Sequence, residues 1–289
     1  MTSSHNMVPQ LHIHPILWLF ALTAVLTGTL AEFLVIFFIV VVHELGHYLA
    51  AKWYGWRIRK INLWVFGGVM ETEEHSSKPI REEAWIIAAG PLQHLWIYGV
   101  LFLCKESSAM PASLVEIGFL YNTTILLFNL LPIWPLDGGK MVFLLLSYIF
   151  PFRLAHTLTI VSSIAFSLAA VVSLLLFFPF TLSAVMLTGF ILWENRLEWK
   201  QRYYIFLRFL LKRYLTPITE KSKIRPVIVN PNTRLLHVFF RFKRGQTHHI
   251  YVKPSKRQSD WLEEHTCLDA YFKMKQHQIS AGELLSRSK

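Results

Sequence analysis

The sequence predicts an α-helical polytopic membrane protein, with about six transmembrane helices, that carries a small α+β domain at its C-terminus. Three observations predict it. Of 289 residues, 53% are apolar, 15% are aromatic and only 16% are charged, which excludes a disordered chain and an ordinary soluble protein. The apolar residues gather into runs long enough to cross a bilayer, roughly 17 to 25 residues each. The charge is segregated: residues 1–193 hold 9 basic and 10 acidic groups, whereas residues 194–289 hold 20 and 8, so the overall +11 resides entirely in the tail.

The start, MTSSHNMVPQLHIHP, has no Lys or Arg ahead of the first apolar run and no small-residue cleavage pattern after it, so that run is expected to stay as an anchor. His12 and His14 alternate with Leu11 and Ile13 and read as surface histidines. The expected crossings are 16–31, 33–51, 84–104, 114–131, 158–178 and a shorter sixth, 180–193. Residues 141–150 are too short to span and form either a re-entrant segment or an extension of a neighbour. The second loop carries Lys52, Arg57, Arg59, Lys60, Lys78 and Arg81, the first loop carries none and the third only Lys105. Both termini, the second loop and the tail are therefore expected in the cytoplasm. Within the second loop, residues 58–66 are rich in strand formers and Gly67-Gly68 interrupts before Val69-Met70-Glu71, which predicts a hairpin at the membrane surface, either an interfacial loop anchored by Trp64 and Phe66 or an element that holds substrate. Glu82 and Glu83 read as first-turn acids of the third crossing.

In the third crossing Gly90 and Pro91 loosen the helix, and Gln93 and His94 read either as pore-lining or second-layer groups or as interhelix hydrogen-bonding ones. After the last crossing, Arg196, Lys200, Arg208 and Lys212 recur at multiples of four among Trp, Tyr, Phe and Leu. This predicts a basic amphipathic helix on the inner membrane surface, with ordinary positive-inside flanking charge as the alternative. Residues 226–229 and 249–252 then read as strands, and 233–243 and 262–274 as helices, of a small α+β domain of about 70 residues. The expected organisation is a transmembrane domain at 1–193, a linker helix at 194–220 and a cytoplasmic domain at 221–289. Two cysteines, Cys104 and Cys267, exclude a disulfide framework and a clustered thiolate site.

The chemistry lies inside the second crossing, in His43-Glu44-Leu45-Gly46-His47. Residues four apart on a helix share a face about 6 Å apart along the axis. Both imidazoles can then hold one zinc ion, with Glu44 beside its open position. Chance alone yields about 0.03 such matches in a chain with these frequencies. Two His and a Glu in hydrocarbon are costly unless they pair, bind metal or face water. A catalytic zinc needs a third protein ligand. Asp137, the only acid between Glu116 and Glu194, supplies it from the broken stretch NLLPIWPLDGG at 129–139; a simple turn at Asp137-Gly138-Gly139 is the alternative. The second and fourth crossings run in the same direction, with both motifs near their inner ends.

HELGH, the AAGPLQH stretch at 88–94 and NLLPIWPLDGG resemble the site-2 protease family of intramembrane zinc metalloproteases, over about residues 11–193. The resemblance is to its branch that matures a pro-sigma factor during sporulation. It implies His43, His47 and Asp137 as zinc ligands, Glu44 as catalytic base, and Asn129 as a residue that positions the substrate backbone. It further implies that the loop at Gly67 and Gly68 presents an edge strand to an extended substrate. Its implied partners are a pro-sigma factor and inhibitory membrane proteins, with the termini on the mother-cell side. The tail resembles the single CBS domain of this branch, which implies ATP binding or homo-oligomerisation; a docking module without ligand is the alternative. A membrane metal-ion transporter is the competing function, but it predicts ligands along several crossings and an inverted repeat. Nucleic acid is not expected as a partner, because the positive charge belongs to the tail of a membrane protein.

Overall fold

The computed structural model describes residues 10–13, 15–64, 67–72, 78–177, 182–216, 223–253 and 261–288, and these form two compact units. The first unit takes residues 1–75, 81–131 and 136–138, the second 76–80, 132–135 and 139–289.

In the first unit, β1 (Gln10–Ile13) is followed by α1 (Pro15–Thr27) and α2 (Leu30–Trp53). Gly28, at φ 75°, supplies the left-handed residue between the two helices. The chain then forms β2 (Ile58–Trp64) and β3 (Gly67–Thr72), an antiparallel hairpin in which Trp64 pairs with Gly67 and Leu63 with Gly68. The glycine pair thus opens β3 rather than interrupting the first strand. β1 adds parallel to β2, giving the order β1-β2-β3 and leaving β3 at an edge. The alternation around His12 was strand periodicity: His12 is exposed, as a strand on the protein surface allows. The expectations for His14 and Phe66 lie outside the described residues.

α3 (Ile80–Ser107) and α4 (Ala112–Asn129) complete the unit with the first residues of α5 (Asp137–Ile149). The C-terminal end of α2, the hairpin and the start of α3 share a small core of Ala51, Trp56 and Ile86, with Ile58 and Met70 against it. The Trp56 indole donates to Glu82 at 3.1 Å.

Three described helices are long and apolar enough to cross a membrane: α2, α3, and residues 152–173 of α6 (Phe152–Phe177). α1, with 13 residues, reaches only about 20 Å against a hydrocarbon core of about 30 Å, and α4 has 18 residues. Trp18, Leu22, Leu45, Leu95 and Phe102 point outward and exposed, a display that lipid rather than water accommodates. Residue 180, the expected start of the sixth crossing, lies outside the described residues.

The second unit holds the rest of α5, α6, α7 (Leu182–Leu215), β4 (Lys223–Val229), α8 (Leu235–Phe239), β5 (Gln246–Val252), β6 (Trp261–Glu263), α9 (Glu264–Phe272) and α10 (Ala281–Arg287). Residues 141–150 belong to a separate helix, α5. β4 pairs parallel with β5 and β5 antiparallel with β6. α8 is shorter than the helical spacing over 233–243 suggested, and α10, closed by a Ser280–Glu283 capping box, was not anticipated.

α7 runs unbroken through 193/194 for 34 residues. Its apolar side chains Phe206, Phe209 and Leu210 are buried in one continuous core with Phe152, Phe239, Ile250 and Leu268. Part of the apolar surface of 194–215 is therefore covered by the tail, whose own strands and short helices need it to bury their apolar side, while Trp199, Tyr203, Tyr204 and Leu211 stay exposed. The turn between α5 and α6 is held by the same tail segment. Lys243 Nζ donates to the Ile149 carbonyl at the end of α5, and Phe152 N–H donates to the Phe242 carbonyl at 3.0 Å, so orphan groups of both helix ends are satisfied.

Two described tail cations, Arg213 and Arg244, are buried. Arg213, 7% exposed, places Nε 2.5 Å and Nη2 2.8 Å from the Glu264 carboxylate and donates through Nη1 to the Lys243 carbonyl. His248 accepts from Lys243 N–H at Nε2, so its Nδ1 carries the proton that Glu264 accepts at 2.8 Å. Burial pushes the His248 imidazole below its ordinary value, against the Glu264 bond that raises it. Burial would raise Glu264, but the His248 hydrogen bond and the Arg213 charge hold its carboxyl below the usual range. In both cases the unfolded chain binds the proton more readily, so stability falls with falling pH. Thermal unfolding of the detergent-solubilised chain should show a midpoint that drops below about pH 6.5 through His248 and drops further below about pH 4.5 through Glu264. A midpoint independent of pH across that window would contradict the assignment. Arg213→Ala, which strands Glu264, should cost about 3–5 kcal/mol in the same measurement.

Candidate metal centre

α2 carries His43, Glu44 and His47 as buried residues one helical turn apart. Asp137 is the first residue of α5, 4% exposed, where the helix N-terminus favours a carboxylate. The structure brings three of these groups to a point. His47 Nε2 lies 3.1 Å from His43 Nε2, and Asp137 Oδ2 lies 3.0 Å from His47 Nε2 and 3.1 Å from His43 Nε2. A ligand atom of Glu44 lies within 4.8 Å of one from each histidine.

The triangle is built for a cation. His47 Nδ1 faces the Ile86 carbonyl at 2.8 Å, and a carbonyl only accepts, so the proton sits on Nδ1 and Nε2 offers a lone pair. Two nitrogens and a carboxylate oxygen separated by 3.0–3.1 Å fall slightly inside the spacing of about 3.3 Å that ligands about 2.05 Å from a tetrahedral zinc would have. The imidazole and carboxylate donors also suit zinc chemically. The residues present fit the ion, with the Asp137 carboxylate facing both imidazoles.

Close backbone approach makes this possible. A Cβ at Gly46 would overlap the Ala89 carbonyl oxygen and lie 2.6 Å from Gln93 Cγ. At Gly90 it would overlap His47 Nε2 and Cε1 and lie 2.8 Å from His43 Nε2. At Gly138 it would overlap the carbonyl oxygens of Leu130 and Leu131, behind Asp137. α2 and α3 therefore meet through glycine, as helices in lipid often do.

Around the triangle, His43 Nδ1 lies 3.0 Å from His94 Nε2, and His94 Nδ1 lies 2.7 Å from Asn122 Oδ1. His94 and Asn122 are 0% exposed. Sequence reasoning left His94 between two roles and passed over Asn122, although an amide within the apolar run 114–131 was a usable signal. Ile86 acts through its carbonyl, which no residue type announces. Asn129 is buried and donates to the Ile125 carbonyl of its own helix at 3.1 Å. Gly67 and Gly68 lie in β3, and among the described contacts neither they nor Asn129 touch the triangle.

A model of peptidase family M50 matches residues 31–107 and 105–172. The chain is 40% identical over 280 residues to stage IV sporulation protein FB of Bacillus subtilis, covering 97% of each chain. It is 37% identical over 120 residues to a zinc metalloprotease of Methanocaldococcus jannaschii, or 40% of this chain and 34% of that one. Among solved structures, the site-2 protease from Methanocaldococcus jannaschii superposes with a TM-score of 0.55 at 25% identity, over 68% of this chain and 94% of that chain.

Gly90→Ala should displace His47 and reduce zinc retained by the purified chain at least tenfold, measured by elemental analysis. Gly99→Ala, on the same helix with open space within 4 Å, is the control and should retain the parent's zinc.

Proposed function

The chain belongs to peptidase family M50 and is a zinc metalloprotease, and from that premise we propose that it cleaves a membrane-associated protein of the pro-sigma-factor type within the bilayer. His43, His47 and Asp137 hold the ion in this reading, and Glu44 is the general base. The observation that carries it is the buried triangle of three donor atoms beside Glu44. The alternative of a metal-ion transporter is overturned by the family, whose members are peptidases.

Zinc, when bound, acidifies a water and polarises the scissile carbonyl. The chain's own residues do the rest. Glu44 takes a proton from the attacking water and delivers it to the leaving amide nitrogen, so that one carboxylate serves both steps and ends unchanged. His47, fixed through Nδ1 on the Ile86 carbonyl, keeps its Nε2 turned to the centre. Asp137 contributes a full negative charge that a cation in a dry site requires for balance. A substrate helix hides its peptide bonds in its own hydrogen bonds, so it must unwind. The edge position of β3, which begins at Gly67 and Gly68, supports capture of the unwound strand by main-chain pairing, with Asn129 as a further positioning group.

Six crossings with cytoplasmic termini remain our reading of the topology, supported by three qualifying helices and by the basic second loop. The order β4-α8-β5-β6-α9 supports a CBS-like tail. The 97% coverage of a sporulation protein supports a sporulation role; a mother-cell location and inhibitory membrane partners are proposed along with it. Titration of the purified chain with ATP tests the nucleotide expectation for the tail.

Glu44→Gln should keep zinc and lose cleavage by about 10²–10⁴-fold. Co-expression with a pro-sigma factor, scored by the size shift of the product, measures this. Undiminished cleavage by the variant would overturn the mechanism.

A further inference from the structure

We infer that His94 and Asn122 form a neutral positioning relay that holds the imidazole of His43 in the tautomer whose Nε2 is proton-free and turned to the metal centre. The inference rests on the metal-centre reading above and extends it by one layer of residues.

Hydrogen-bond direction can be followed inward from Asn122. Its Nδ2 donates to the backbone carbonyl of His94 at 3.2 Å, which settles which end of the amide is which. Oδ1 is therefore the atom 2.7 Å from His94 Nδ1, and an acceptor there requires the proton on Nδ1. A neutral His94 then presents a lone pair at Nε2. That lone pair faces His43 Nδ1 at 3.0 Å, so His43 donates and its own proton resides on Nδ1. His43 Nε2 is left bare, 3.1 Å from both His47 Nε2 and Asp137 Oδ2. A second proton on His94 would reverse the chain, but it would bury a cation at 0% exposure next to a metal ion.

The neutrality of the relay has a consequence. Metal-bound histidines commonly donate to a carboxylate, a carbonyl or water. A carboxylate at position 94 would add a second negative charge beside Asp137 within hydrocarbon, where such a charge is expensive. A histidine backed by an amide orients His43 equally well and adds no charge, so a divalent ion held by two neutral imidazoles and one carboxylate keeps a net positive charge. Asn122 engages both the backbone and the side chain of His94, so it also ties α4 to α3 behind the centre.

The test measures zinc affinity by chelator competition on the full-length chain in detergent. His94→Leu and Asn122→Leu should weaken zinc about 10–100-fold. His94→Gln, which retains an oxygen acceptor in line with His43 Nδ1, should recover most of that loss. Nitrogen-15 spectra of the histidine-labelled, zinc-loaded parent should show both His43 and His94 protonated at Nδ1, a readout that does not depend on any variant folding. Leucine variants that bind within about twofold of the parent, or the opposite tautomers in the spectra, would overturn the relay while leaving the metal centre intact. A parent chain that holds no zinc would overturn the metal-centre reading and the relay together.

Discussion

Three proton-free donor atoms, two imidazole nitrogens and a carboxylate oxygen, face one another across 3.0–3.1 Å in a buried site. Without a cation this arrangement sets lone pair against lone pair away from water, and the surrounding structure is arranged to hold it. Glycine at 46, 90 and 138 removes the side chains that would keep the backbones apart. The Ile86 carbonyl and the His94–Asn122 pair occupy the outer nitrogens of the two histidines, which turns the inner ones toward Asp137. Each of these groups is on a helix of the same unit, so the centre does not rely on loops for its geometry.

The hairpin belongs to the same unit and is joined to it through Trp56, Ile86 and Ala51. Ile86 thus packs its side chain into the core beneath the sheet while its carbonyl orients His47. The sheet and the buried histidines are in this way both attached to α3 through Ile86.

The tail resolves the charge imbalance differently from its first appearance. Part of its net +12 is internal: Arg213 pairs with Glu264 and donates to backbone carbonyls, Arg244 is buried as well, and Lys243 closes the end of α5. The tail is therefore built onto the membrane helices of its unit by a shared aromatic core, with Phe152 and Phe209 stacked at 4.1 Å. A linker helix lying on lipid was a reasonable expectation from the spacing of Arg196, Lys200, Arg208 and Lys212. Spacing identifies an apolar face but not what covers it, and here the cover is β4, β5 and the short helices packed against them.

HELGH, LDGG and the apolar runs were legible because each depends on local facts: helical spacing, the cost of ionisable groups in hydrocarbon, and the length needed to cross it. The hairpin was legible from strand formers and the glycine pair. β1 was not, because a four-residue strand has too little pattern to announce a parallel partner some fifty residues away. Nor was Asn122, whose meaning depends on facing His94 across two helices. By itself, then, the amino-acid order determined that this is a helical membrane chain with two histidines and a glutamate on one helical turn and an aspartate near a broken segment. Only the tertiary structure decided which nitrogens carry protons, where glycine lets helices touch, and that Phe206, Phe209 and Leu210 of α7 pack into the core of the tail. Those are properties of pairs of residues distant in sequence, and their energies exist only once the chain has brought them together.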